Sequence, residues 1–269
     1  MFTDSIKAIV TTTRELIGNW RVMVVLATIY ALLLATLYLL VSTREASVFQ
    51  VVLTLVLAIA APMLFFVLQA VSANYPLEMN TTSLIQRSLK DFGKLVVVSL
   101  PMILLTILVI YLLGRMQARF GIAPVNPDEF VERALEESQR PIVWSAVIFA
   151  TLRYLLLGLV LPITLMHLWL AVTREGLMNT VRRAGHYLAG AFTPESLLIY
   201  VIGFIVFALL PYLLLFRAIK IDRAWLEIGF LVLKLAVVFT LTLFGWVITM
   251  NALDQSGRRE LQAVGSEES

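Results

Sequence analysis

Six long apolar stretches run through this 269-residue chain, and they constrain its fold more than any other feature. The hydrocarbon core of a bilayer is about 30 Å thick, so a helix needs about 20 apolar residues to cross it. Within lipid every backbone N–H and C=O group needs a partner inside the protein, which favours helices over these stretches. The predicted spans are residues 20–42, 49–73, 95–114, 143–173, 196–216 and 226–250.

The composition agrees with a membrane environment. Hydrophobic residues make up 60% of the chain, charged residues 14%, and the mean hydropathy is +0.90. A soluble domain carries about 25% charged residues because water must solvate its surface. The predicted fold class is therefore an all-α polytopic membrane protein. A single six-helix transmembrane domain covers residues 1–256, with an outer loop over 115–142, and a polar C-terminal tail covers 257–269.

Charge and cysteine content exclude several classes of function. The net charge of +3 is too small to predict a nucleic-acid partner, and the absence of cysteine excludes disulfides and thiol catalysis. Six spans put both termini on one side, and the basic residues of the loops are more numerous on that side. The positive-inside rule then predicts cytoplasmic N- and C-termini in the cell (inner or plasma) membrane. The first apolar run is longer than a signal-peptide core, so we expect it to be a span.

Two regions about one hundred residues apart are similar. Residues 61–81 and 161–180 both place a proline near their start, and both end in Met-Asn-Thr. The second and fourth spans cross in the same direction, so the pattern predicts a parallel internal repeat.

A basic amphipathic segment follows each copy of the repeat. The first carries Arg87, Lys90 and Lys94 opposite an apolar stripe, and the second carries Arg182 and Arg183. Basic amphipathic helices lie in the headgroup layer or contact partner proteins. We therefore predict two cytoplasmic amphipathic helices that contact membrane lipids, with other membrane-protein subunits as further candidate partners.

The order of these elements resembles a known family. A span entering the cytoplasm, a basic amphipathic segment and a new span occur twice, and the last span ends in TMNALDQSGRREL. This order is similar to the membrane domain fused to bacterial glycerophosphodiester phosphodiesterases and to its stand-alone multi-pass relatives. The resemblance implies a fold and no activity, because the chain contains no stretch that matches the catalytic barrel.

Three polar residues within the apolar stretches are candidate ligand-binding residues. Arg153 and Lys234 are cations inside predicted spans, where a charge is expensive and marks function by default. They predict an anion or lipid-phosphate site, although snorkelling of the side chains to the headgroups is the competing interpretation. His167 is a candidate cofactor ligand, and a hydrogen bond to a neighbouring helix is the simpler alternative. The sequence has no phosphate-loop, zinc-protease or nucleophile-elbow motif, so we predict no catalytic residues, no metal and no cofactor.

Three classes of function remain. The first is a non-catalytic scaffold or accessory subunit that organises lipids or partner proteins. The second is a transporter or permease-like subunit for an anionic or lipidic substrate, which the prolines inside the spans also suit. The third, a lipid-modifying enzyme, lacks a base or nucleophile at a suitable depth.

Overall fold

The computed structural model describes residues 2–43, 47–75, 80–119, 144–217 and 223–267, and regular structure in these ranges is helical throughout. Two five-residue π-helical segments, Leu156–Val160 and Ile205–Leu209, interrupt the α-helices. The α-helices are α1 (Phe2–Gly18), α2 (Trp20–Ser42), α3 (Val48–Asn74), α4 (Thr81–Arg119), α5 (Trp144–Leu155), α6 (Leu161–Glu175), α7 (Leu177–Arg182), α8 (Ala184–Ala191), α9 (Pro194–Phe204), α10 (Leu210–Phe216) and α11 (Ala224–Glu267).

Six helical stretches are long and apolar enough to cross a membrane, which confirms the predicted all-α polytopic fold. They are Trp20–Ser42, Val48–Asn74, Thr81–Arg119, Trp144–Glu175, Pro194–Phe216 and Trp225–Ser256. The first has the predicted bounds, and the second, fourth and fifth differ from the prediction by one or two residues at an end. Apolar run length alone therefore locates these spans well.

The third and sixth helices extend well beyond the apolar stretches that predicted them. α4 begins at Thr81 and not near residue 95, and its 39 residues reach about 58 Å, nearly twice the hydrocarbon thickness. The first basic amphipathic segment is thus the beginning of α4 and not a separate helix. α4 also includes residues 115–119 of the predicted outer loop, while 120–142 lie outside the described residues. α11 continues past residue 256 to Glu267, so 257–267 of the predicted tail are helical.

The second basic segment forms two short helices. Gly176 has a φ of +79°, a backbone conformation that glycine adopts without steric strain, and it separates α6 from α7. α8 follows Arg183 and ends at Ala191, before α9 begins with Thr193 as its N-cap and Pro194 in the first turn. α1 precedes the first apolar stretch and was not predicted from the sequence, although its buried residues Ala8, Thr12 and Leu16 recur every four positions.

The described chain divides into two compact units by its contacts. One unit contains residues 1–96 and 166–269, and the other contains residues 97–165. In the first unit α2 packs along α3, while α1 packs against α9 and α11. Its apolar core includes Val22, Leu26, Leu68, Leu84 and Val247. The prediction of a single membrane domain stays a prediction.

The two π-helical segments each lie just before a proline. Pro162 follows Val160 by two residues, and Pro211 follows Leu209 by two residues. Proline has no N–H for the carbonyl four residues earlier, and its ring displaces that carbonyl. The helix widens locally in response. Pro62 and Pro101 lie within regular α-helix.

Candidate functional site

Buried polar side chains of the first unit are concentrated where spans begin or end. We call them the span-end polar residues, and they come from α1, the last turns of α3 and α6, the first turns of α4, α7 and α9, and α11 after Trp246. They are Thr12, Gln69, Ser72, Asn74, Ser88, Asp91, Thr173, Thr180, Ser196, Thr249, Asn251, Asp254 and Ser256. Burying polar groups is unfavourable unless they are hydrogen-bonded, so their partners indicate what they do.

Asp91 joins α3 to α4. Its carboxylate accepts a hydrogen bond from Nδ2 of Asn74 at 3.2 Å and forms an ion pair with Nζ of Lys94 at 2.6 Å. Asn74 also donates to the carbonyl of Ala70 at 3.0 Å. Lys94, predicted as a membrane-surface cation, is therefore paired within its own helix. The contact fixes the end of the second span against the beginning of α4.

Arg174 and Asp254 form the corresponding contact between α6 and α11. The guanidinium of Arg174 pairs with the carboxylate of Asp254, which is 3% exposed, and donates to the Asp254 carbonyl at 3.1 Å. A buried carboxylate needs such a partner, because removal from water is unfavourable for an isolated charge. The pair holds the ends of the fourth and sixth spans together.

Tryptophan near the end of a span commonly lies at the membrane interface, but two of the tryptophans in this chain face other helices. Trp169 is 1% exposed and contacts the edges of the Phe65 and Phe66 rings, at 6.2 and 6.3 Å between centroids. Trp246 donates its indole N–H to Oε1 of Gln69 at 2.6 Å. Trp20, Trp144 and Trp225 are exposed, as an interfacial position requires.

His167 lies beside the beginning of the fifth span. Its Nε2 is 3.3 Å from Oγ of Ser196, which also accepts a hydrogen bond from the Thr193 hydroxyl at 3.0 Å. Thr193 is the N-cap of α9. In the described part of the chain, no group of three or more His, Cys, Asp and Glu side chains has a metal-binding arrangement.

The structure brings Arg153 and Lys234 to separate places, outside the span-end polar residues. Arg153 donates to the side-chain oxygen of Gln117 at 2.9 Å within the second unit. Lys234 donates to the carbonyls of Leu215 and Arg217 at 3.2 and 2.7 Å. These carbonyls lie at the end of α10, where backbone oxygens have no helical partner and a cation is favoured. An anion site at either cation remains a prediction.

The other predicted surface cations differ in their surroundings. Lys90 and Arg182 are exposed, and Arg87 is half-buried. Arg183 lies 3.8 Å from the carboxylate of Glu175, with most of its side chain exposed. The pKa of Tyr187 is raised to about 12, mainly by burial and to a smaller extent by the hydrogen bond from its hydroxyl to the carboxylate of Glu175. Burial and the charge of Glu15 likewise raise the pKa of Tyr75.

A groove of about 350 Å³ lies between α2, α3 and the first turns of α4. Its lining is apolar apart from two hydroxyl residues, Thr28 and Ser88. The lining residues are Val24, Val25, Thr28, Ile29, Val67, Val71, Ile85, Ser88 and Leu89. This groove could not be predicted from the sequence, because it depends on how three helices pack.

Comparison with protein-family models, with curated proteins and with solved structures finds no match to this chain. The resemblance to the membrane domain of phosphodiesterases therefore stays a hypothesis. The composition and the six apolar helices make the chain a multi-pass integral membrane protein.

Proposed function

We propose that this protein is a non-catalytic scaffold or accessory subunit of the cell membrane that organises lipids or partner membrane proteins. The mutual pairing of charged residues at the span ends carries the proposal. Asp254 pairs with Arg174, and Asp91 with Lys94 and Asn74. Leaving a buried carboxylate without its partner is unfavourable, so the Arg174–Asp254 pair and the Asn74–Asp91 hydrogen bond favour one arrangement of the helix ends.

The exposed apolar and basic side chains also support a scaffold role. Large apolar side chains of α2, α3, α9 and α10 are exposed, among them Leu55, Ile59 and Leu213. In a membrane these side chains face lipid or a neighbouring membrane protein. With cytoplasmic termini, the exposed cations Lys90 and Arg182 face anionic headgroups, which attract basic residues by about 1 kcal/mol each. Lipids and membrane proteins are the partners that fit both surfaces.

A transporter or permease-like subunit is the second candidate, and the π-helical segments favour it. Leu156–Val160 and Ile205–Leu209 each precede a proline. Such segments are frequent at functional sites and at kinks where helices bend. A transporter would use them as hinges, whereas a scaffold has no need for motion at either one.

A disulfide between the fifth and sixth spans distinguishes the two candidates. A Cβ added at Gly203 would lie 3.1 Å from Cβ of Thr249, a few tenths of an ångström below the separation of about 3.5 Å that disulfides require. The chain has no cysteine of its own. Gly203→Cys with Thr249→Cys therefore introduces one reversible covalent link. The two single cysteine variants serve as controls.

The linked protein is purified from native membranes in lipid nanodiscs, oxidised or reduced, and its partners and lipids are identified by mass spectrometry. A scaffold retains the same lipids and partner proteins in both states. If the protein instead co-purifies with an ATPase whose ATP hydrolysis is lost on oxidation and recovered on reduction, the scaffold proposal is wrong and the permease alternative replaces it. Recovery of neither a selected lipid class nor a partner protein also contradicts the proposal.

A further inference from the structure

We propose that the groove between α2, α3 and α4 binds one anionic glycerophospholipid, with its phosphate at Arg21, an ester carbonyl at Ser88 and an acyl chain along the apolar wall. The inference rests on the proposed function and names the lipid class and the site. Three independent features of the groove match three parts of such a lipid.

The apolar wall matches an acyl chain. Val24, Val25 and Ile29 of α2 lie opposite Val67 and Val71 of α3, and Ile85 and Leu89 of α4 line the third side. A volume of about 350 Å³ is in the range of about 300–1,000 Å³ typical of ligand sites. Val24 and Leu89 are more than half exposed, so the groove is open beside these two residues, as entry of a chain from the bilayer requires.

Ser88 supplies a hydrogen-bond donor inside this wall. The residue is 1% exposed, and its Oγ has no hydrogen-bond partner in the described part of the chain. Serine and threonine hydroxyls in helices usually bond to the carbonyl four residues earlier, as Thr28 does with Val24 at 2.8 Å. A buried hydroxyl without a partner is unfavourable. An ester carbonyl of a lipid in the groove would accept its hydrogen bond.

Arg21 supplies the charge at one end of the groove. It precedes Val24, Val25 and Thr28 by three, four and seven positions, so it shares their face of α2 and lies one turn nearer the beginning of the span. Its guanidinium is 5.9 Å from the ring centroid of Trp20, an exposed tryptophan at the first residue of the span. Tryptophan at a span end marks the headgroup level. A guanidinium there binds phosphate with charge-assisted hydrogen bonds.

The distance along the helix fits the dimensions of a phospholipid. Arg21 and Thr28 are separated by seven residues, or about 10 Å of helix. Ser88 lines the same groove from α4. A glycerophospholipid places its phosphate at the headgroup level, its ester carbonyls just below and its acyl chains below those. Arg21 lies one turn beyond this lining, towards the headgroup level that Trp20 marks, which is where the phosphate of such a lipid would be.

The test uses the full-length protein in detergent, with phosphatidylglycerol as the probe and phosphatidylcholine as the zwitterionic comparison. Native mass spectrometry counts retained lipids after titration of each one. We expect one retained phosphatidylglycerol and weaker retention of phosphatidylcholine. Arg21→Ala should lower phosphatidylglycerol affinity about tenfold, because one charge-assisted phosphate contact is lost. Arg21→Lys should retain most of the affinity.

Two further variants test the other parts of the site. Ser88→Ala should lower the affinity for both lipids equally, since both carry ester carbonyls. Val67→Phe should fill the wall and abolish retention of both. Arg14→Ala is the matched control, because Arg14 is an exposed arginine of α1, a helix that contributes no residue to the groove lining, and it should leave affinity unchanged. Thermal unfolding identifies any variant that fails to fold, and the remaining variants then carry the test.

Several outcomes overturn the proposal. Equal retention of both lipids by the natural protein is one, and an equal loss in Arg21→Ala and Arg14→Ala is another, because it indicates attraction to the surface as a whole. A dimer that dissociates in Val67→Phe assigns the groove to a second copy of the chain. The scaffold proposal is tested separately through partner recovery. If the Val67→Phe variant loses lipid but keeps its protein partners, the scaffold proposal stands. If the partners are lost while lipid is retained, the scaffold proposal fails and the lipid site in the groove stands.

Discussion

The backbone of Gly245 in α11 lies directly against the side chain of Phe207, so that a Cβ at position 245 would overlap Cβ and Cγ of Phe207. Phe207 belongs to the π-helical segment Ile205–Leu209. The carbonyl of Phe207 is the one that would pair with residue 211, which is a proline. The widened turn and the glycine therefore meet at one position, where the fifth and sixth spans lie in close contact.

Gly245→Ala should destabilise the protein. The added methyl group has no room beside Phe207, and overpacking of a well-packed contact costs about 1–3 kcal/mol. We expect a lower midpoint of thermal unfolding, measured in detergent by fluorescence-detected gel filtration. The fifth and sixth spans should separate more readily on heating.

Gly229→Ala is the matched control, in the same helix. No side chain or distant backbone atom lies within 4 Å of a Cβ added at Gly229. Alanine stabilises a helix by about 1 kcal/mol relative to glycine, so this variant should unfold at the same or a higher temperature. Equal destabilisation of both variants would contradict the close approach at Phe207.

Asp254→Asn should destabilise the polar end of the sixth span. The substitution keeps the shape of the side chain but removes the charge that balances Arg174, and breaking a buried ion pair costs about 3–5 kcal/mol. The exposed fraction of the Arg174 side chain is 23%. Because water partly solvates this guanidinium, the loss in unfolding free energy should lie near the lower end of that range. The thermal midpoint and proteolysis of the sixth span measure the effect.

Glu175→Gln tests whether burial of Asp254 is the reason that its ion pair with Arg174 contributes to stability. Glu175 lies one residue from Arg174 and faces Arg183 at 3.8 Å, with both side chains partly exposed. Exposed pairs contribute about 0–1 kcal/mol, so this variant should unfold close to the natural protein. A larger loss in Glu175→Gln than in Asp254→Asn would reject our ranking of the two ion pairs.

The spans could be predicted from the sequence, but the hydrogen-bond and ion-pair partners of their polar residues could not, because those partners lie far away in the chain. The length of an apolar run and its hydropathy are local properties, so Trp20–Ser42 could be predicted as a span from the amino-acid sequence alone. The contact between Gln69 and Trp246 joins residues 177 positions apart, and no local pattern distinguishes an interfacial tryptophan from one that donates to a buried amide. The groove beside Ser88 depends likewise on three helices. The apolar stretch at 95–114 predicts only part of α4, because the first turns of this helix are polar on one side.

Gln69→Leu should destabilise the contact between the second and sixth spans. Leucine has a similar size but offers no acceptor, so the indole N–H of Trp246 would be left unsatisfied at a cost of about 1–3 kcal/mol. Trp246→Phe in the same background removes the unsatisfied donor as well. We expect the double variant to be more stable than the sum of the single changes predicts, in a thermal-unfolding cycle. Strict additivity would indicate that the hydrogen bond contributes little.

Lys234→Met should reveal whether this cation stabilises a helix end or binds an anion. Methionine keeps most of the side-chain length, but it leaves the carbonyls of Leu215 and Arg217 without their donor. Because Lys234 is 9% exposed, water replaces the donor poorly, and we expect a loss of about 1–3 kcal/mol in unfolding free energy. Phosphatidylglycerol retention should be unchanged in the folded fraction. Unaltered unfolding together with weaker retention would instead support the anion site predicted from sequence, since a cation bound mainly to an external phosphate contributes little to the empty protein.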